Sequence, residues 1–157
     1  MDHTGIYAFA VSSNRVFHAL LDPTVLKTSI PGCEAVWYGD NDDIVIRLSL
    51  PVPIPSLQGP YDVTVRVKER HEPDILVIQA QRFGSIAGSV DSLTRITLTD
   101  TDTGSLLSYQ AHADLQGPIN IASSPPFQAI IKLSLAKFFK NVTDVLQGSD
   151  EVVQYGG

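Results

Sequence analysis

Apolar and polar positions alternate along most of this chain, and the period shifts to that of a helix near each end. Across residues 5–11, Tyr7, Phe9 and Val11 share one face with short residues between them, the mark of a half-buried strand. Ser12 or Ser13 then caps a short helix in which Val16, Phe17, Leu20 and Leu21 recur at helical spacing. Asp22-Pro23 opens a second: the carboxylate accepts from free N–H groups, and proline sits where a missing N–H costs nothing. Pro31-Gly32 ends it.

Six further strands are predicted, at residues 34–38, 44–50, 61–67, 75–82, 92–99 and 106–115. Alternation turns Ile44, Ile46, Leu48 and Leu50 inward on one, and Tyr61, Val63, Val65 and Val67 on the next. Leu76, Ile78 and Ala80, then Ile96 and Leu98, then Leu107, Tyr109, Ala111, Ala113 and Leu115 continue that face. Turn-rich joints such as His71-Glu72-Pro73-Asp74 and Asp100-Thr101-Asp102-Thr103-Gly104 favour antiparallel neighbours. From Pro125-Pro126 the stripe Phe127, Ile130, Ile131, Leu135, Phe138, Val142 and Val145 predicts an amphipathic helix of about 20 residues, roughly 30 Å long. A sheet with one apolar face must bury it, and only that helix is large enough to cover it. The expected fold is α+β, a seven-stranded curved antiparallel sheet wrapped around a long C-terminal helix, with two short helices between strands 1 and 2. Residues 1–147 form one domain, and residues 148–157 a polar, flexible tail.

Composition narrows the function. The 157 residues carry 11 Lys+Arg against 17 Asp+Glu, a net charge of −6, which argues against a nucleic-acid partner. At 43% hydrophobic and 18% charged the chain has the apolar content for a packed core. A single cysteine rules out a disulfide framework, and Cys33 reads as a buried structural thiol. No run approaches ~18 consecutive apolar residues, and Met1-Asp2-His3-Thr4 lacks the layout of a signal peptide, so the expectation is a cytoplasmic protein.

The segment Asp22-Pro23-Thr24-Val25-Leu26, running on to Ile30-Pro31-Gly32-Cys33-Glu34, resembles the "DPxxLxxxIPGCE" element of the CoxG family, the G-subunit proteins of carbon monoxide dehydrogenase. These belong to the SRPBCC or START-like superfamily, with its helix-grip fold. Gly59, Gly84, Gly88, Leu107, Tyr109 and Phe138-Phe139 extend the resemblance over roughly residues 5–146. Prolines 51, 53 and 55 stand where the family often has glycine, and residues 120–126 replace its Gly/Ala-rich lead-in to the last helix. The resemblance implies an accessory protein of a molybdenum-containing carbon monoxide dehydrogenase-type enzyme, a molybdenum hydroxylase, with a role in its membrane recruitment or in quinone delivery. Family members often continue into a hydrophobic anchor that this sequence does not contain, so the expected membrane contact is peripheral at most, on the inner face.

The inner-face residues Tyr61, Val63, Leu76, Ile78, Ile96, Leu98, Tyr109, Phe127, Ile131 and Leu135 are expected to border one cavity for a quinone- or lipid-like ligand. Arg82 shares the inward parity of Leu76 and Ile78 and is either an anchor for a ligand oxygen or a margin residue with its head in water. Ile30, Pro31, Val52, Ile54 and Leu57 are the candidate mouth; the proline-rich part reads otherwise as a rigid edge strand. The histidines His3, His18, His71 and His112 show no metal-ligand spacing, and no metal or other cofactor is expected. Asp40, Asp42 and Asp43 read as a solvated hairpin tip, and Asn141-Val142-Thr143 as a sequon hidden in a helix. Strand parity offers no inward His, Asp or Glu, which weighs against the alternative of a polyketide cyclase- or dehydratase-like enzyme. A fully packed interaction module is the third reading.

Overall fold

A computed structural model describes the backbone of residues 1–85 and 87–156 and the side chains of residues 1–83 and 87–148. The elements run β1 (Asp2–Phe9), α1 (Ser13–Ala19), α2 (Pro23–Ser29), β2 (Cys33–Tyr38), β3 (Ile44–Leu48), β4 (Tyr61–His71), β5 (Ile75–Ser85), β6 (Gly88–Thr101), β7 (Gly104–Gln116) and α3 (Pro125–Gly156). The seven strands form one sheet in the order β1-β7-β6-β5-β4-β3-β2, antiparallel at every step. This is the expected helix-grip arrangement, with α3 laid across the concave face.

The local signals act as their chemistry dictates. The Ser12 hydroxyl accepts from Arg15 N–H at the start of α1, and Asp22 Oδ1 accepts from Thr24 N–H at 2.9 Å at the start of α2. Asp100 Oδ1 accepts from Ser13 N–H at 2.8 Å, tying α1 to the end of β6 and lowering the Asp100 pKa. α3 is clamped to the sheet by aromatic contacts. Phe139 stacks on Tyr7 at 5.2 Å and meets Phe9 edge-on at 6.2 Å. Phe139, Val142 and Leu146 are buried with Phe17, Leu98 and Leu107 in the main core, under α1 and the lower half of α3. A smaller cluster joins Leu26 to Ile44 and Ile46, and a third gathers Leu57, Tyr61 and Ala87 at the opposite end.

Several expectations are corrected. α3 spans 32 residues rather than about 20; the tail expected at residues 148–157 falls on its end, where side chains from residue 149 on lie outside the described residues. A 3-10 turn at Pro118–Ser123, not anticipated, leads into it and buries Ile119. β1 begins at Asp2 rather than Gly5, because residues 2–4 continue its pairing with β7. Val67 is 37% exposed: β4 bulges just beyond it, which turns the strand away from the core. Asp43 does not belong to a solvated tip. It is 8% exposed, and Arg66 folds over it, donating from Nη2 at 2.8 Å and holding its pKa below the usual carboxylate value.

Candidate functional site

Between the concave face and α3 lies a cavity of about 530 Å³, inside the 300–1,000 Å³ range of small-molecule pockets. Its floor comes from alternate residues of β5, β6 and β7, the parity that strand periodicity assigns inward. Leu76, Ile78, Ile96 and Tyr109 line it as expected, and so do Phe127, Ile131 and Leu135 from α3. At the rim Ile30, Pro31 and Val52 also line it.

Six candidates lie elsewhere. Tyr61 and Leu57 are buried in the third cluster, where the Tyr61 hydroxyl donates to the Leu57 carbonyl at 2.7 Å, and Ile54 and Val63 pack against them. The short turn Pro55–Leu57 folds back over that end of the sheet, so inward parity there leads into packing rather than open space. Leu98 is 2% exposed in the main core beside α1. Arg82 stacks its guanidinium over the Tyr61 ring at 5.0 Å and donates to the Asp62 carbonyl at 3.4 Å, outside the cavity lining. That assigns it to the sheet margin, although its Nε is buried without a partner among the described residues.

Sequence reasoning missed the walls supplied from outside the sheet's centre. Leu20, Leu21 and Leu26 come from the helical hairpin α1–α2, Ile44 and Ile46 from β3, and Ile119 from the 3-10 turn. All but Ile119 were visible as apolar stripes; what no stripe reveals is how far the sheet curls to bring β3 and β6 to one cavity. Among the described lining residues none carries a charge, and side-chain hydroxyls come only from Ser49, Thr94, Ser134 and Tyr109. Burial pushes the Tyr109 pKa up, so the group stays a phenol able to donate. Its ring leans over Gly5 of β1: a Cβ at that position would stand 2.6 Å from the phenol oxygen. Glycine there makes the room that Tyr109 occupies.

One inward titratable group was also missed. His3 is 8% exposed on β1, and its Nε2 has no hydrogen-bond partner among the described residues. A buried polar atom left unpaired costs about 1–3 kcal/mol. Starting the strand at Gly5 concealed it; two residues earlier, the parity of Tyr7 and Phe9 reaches His3. By contrast His112 faces outward between Asp2 and Asp114.

The match to the family model for the G subunit of carbon monoxide dehydrogenase (CoxG) covers residues 5–147. The chain belongs to the CoxG family. Solved structures share its fold. A conserved protein from Geobacillus kaustophilus superposes with a TM-score of 0.83 at 23% identity, over 95% of this chain and 97% of that one. A protein from Chromobacterium violaceum gives 0.68 at 18% identity, over 92% and 95%. A START superfamily protein from Mycobacterium smegmatis gives 0.65 at 11% identity, over 94% and 97%. No curated protein matches significantly. Among the described residues of this CoxG protein, no helix is long and apolar enough to cross a membrane. The fold and family support a ligand-binding or accessory role.

Proposed function

We propose that this CoxG protein is a non-enzymatic carrier that holds a small hydrophobic molecule, quinone- or lipid-like, between its sheet and α3. The observation that carries this reading is the cavity, about 530 Å³ lined almost wholly by aliphatic and aromatic side chains. An apolar void of that size forfeits dispersion contacts all along its walls, a loss that an apolar guest restores. The empty volume also weighs against a fully packed interaction module. Leu76, Ile78, Ile96, Tyr109, Phe127, Ile131 and Leu135 hold the guest in this reading, and Ile30, Pro31 and Val52 border its entry. Family membership supports delivery to or from a molybdenum-containing carbon monoxide dehydrogenase-type enzyme, from the cytoplasm and with peripheral contact to the inner face of the membrane.

His3 and Tyr109 give the cyclase-like enzyme alternative its one specific support, an inward imidazole on the strand next to a half-buried phenol. One experiment separates the readings. Native mass spectrometry of freshly purified protein, and of stripped protein incubated with a decyl-substituted benzoquinone or oleyl alcohol, is followed by organic extraction. A carrier shows an adduct and returns the guest unchanged in mass. A guest returned with altered mass supports the enzyme, and protein that neither retains nor takes up any apolar molecule refutes both.

A further inference from the structure

Cross-strand register places His3 opposite Ala111, Ala111 opposite Thr94, and Thr94 opposite Ile78. Residues paired in this way share one face of a sheet, and their side chains rise side by side about 5 Å apart. The row therefore runs along the concave face, and Ala111, Thr94 and Ile78 all line the cavity. Ala111 ends in a methyl group, so the space above it belongs to the cavity and is walled by its neighbours. Those are His3 and Thr94 on either side, with Tyr109 and Ala113 along the strand. Tyr109 leans towards β1 and brings its phenol over Gly5, the next residue after His3 on the same face. Three of the four neighbours of Ala111 thus carry polar groups: Thr94 and Tyr109 line the otherwise almost entirely apolar cavity, and His3 is buried beside Ala111 on β1, outside the lining residues. Of these groups the His3 Nε2 is a buried polar atom with no hydrogen-bond partner among the described residues, while Tyr109 and Thr94 are half-buried residues of the cavity lining. Buried polar atoms are nearly always paired, so the open His3 nitrogen, with two hydroxyl-bearing residues beside it, invites a partner from outside the chain.

We propose that the notch over Ala111, formed by His3, Tyr109 and Thr94, is a hydrogen-bonding subsite for an uncharged oxygen, a carbonyl or hydroxyl, at the tip of an apolar guest. This rests on the carrier reading and adds an orientation to it: the oxygen-bearing end lies towards β1 and β7, and the hydrocarbon towards β3 and α2. An imidazole nitrogen donates in one tautomer and accepts in the other, and the hydroxyls do both, so the set serves either oxygen. With no charged side chain among the described lining residues, a neutral head is favoured over a carboxylate or phosphate.

The test uses two probes of nearly equal shape, 2-acetylnaphthalene and 2-isopropylnaphthalene, with affinities measured by calorimetry on wild type and the His3→Leu and Tyr109→Phe variants. Each variant should lose about five- to tenfold in affinity for the ketone relative to the hydrocarbon. In parallel, imidazole nitrogen resonances of the wild-type protein, assigned with His3→Gln, should show His3 shifting with the ketone and not with the hydrocarbon. That readout stands even where His3→Leu folds poorly. Equal losses for both probes, or a His3 resonance that moves equally with both, overturn the subsite while leaving the carrier intact. If neither probe binds wild type, the carrier reading falls and the subsite with it.

Discussion

Gly32, in the Ile-Pro-Gly-Cys element, adopts a φ of +74°. A Cβ there would stand 2.3 Å from the Ser49 carbonyl oxygen, against backbone that cannot step aside. Left-handed backbone alone costs a non-glycine residue about 1–2 kcal/mol, and the clash adds to it. Gly32→Ala should therefore destabilise the protein by about 2–3 kcal/mol, a fall in Tm of roughly 5–10 °C for a chain of this size. Gly148 is the internal control, since nothing lies within 4 Å of its missing Cβ. Gly148→Ala in helix α3 should stabilise by up to about 1 kcal/mol. Thermal melts that moved the two variants in the same direction would contradict the assignment of Gly32 as a conformational requirement.

β1 is an edge strand, held on one side by β7 and pinned at its start by an ion cluster on the outer face. There His112 sits between Asp2 on β1 and Asp114 on its own strand, which together raise its pKa above the ordinary 6.5. The sign follows from the direction. The folded state holds the proton more tightly, so the contribution is full below about pH 6.5 and is lost as pH rises through the higher folded value. His112→Gln should lower Tm at pH 5.5 and leave it unchanged near pH 9, with the effect small because all three groups are largely exposed. An equal loss at both pH values would mean the imidazole acts by shape and not by charge. The same edge shows what periodicity can and cannot tell. Alternation assigned the inner face correctly at Leu76, Ile96 and Tyr109, and capping chemistry placed α1 and α2, because those signals are local. It could not separate Tyr61 and Leu98, which are packed over, from Ile78, which borders open space. That difference depends on where a turn or a helix comes to rest on the face, a matter of tertiary packing.

For the whole domain, the cavity sets a link between guest and stability. A ligand that binds only the folded state at a hundred times its Kd adds about 2.7 kcal/mol, or roughly 5–10 °C in Tm at this size. Organic extraction should lower the melting temperature by about that amount, and re-addition of the extracted molecule should restore it. Stripped and loaded protein melting together would count against occupancy of the cavity. On the carrier reading, the fold also constrains how loading would proceed. Ser49 N–H donates to the Gly32 carbonyl at 3.0 Å, which stitches the chain beside Ile30-Pro31 to the chain beside Leu50-Pro51. These two rims cannot part without breaking that bond, and together they act as a fixed door frame. Another part of the wall is the Pro118–Ser123 turn and the first turns of α3, where Ile119 N–H donates to the carbonyl of Ala87 in the turn before β6. On the carrier reading, a guest would therefore pass the fixed frame end-on, on the side of that turn.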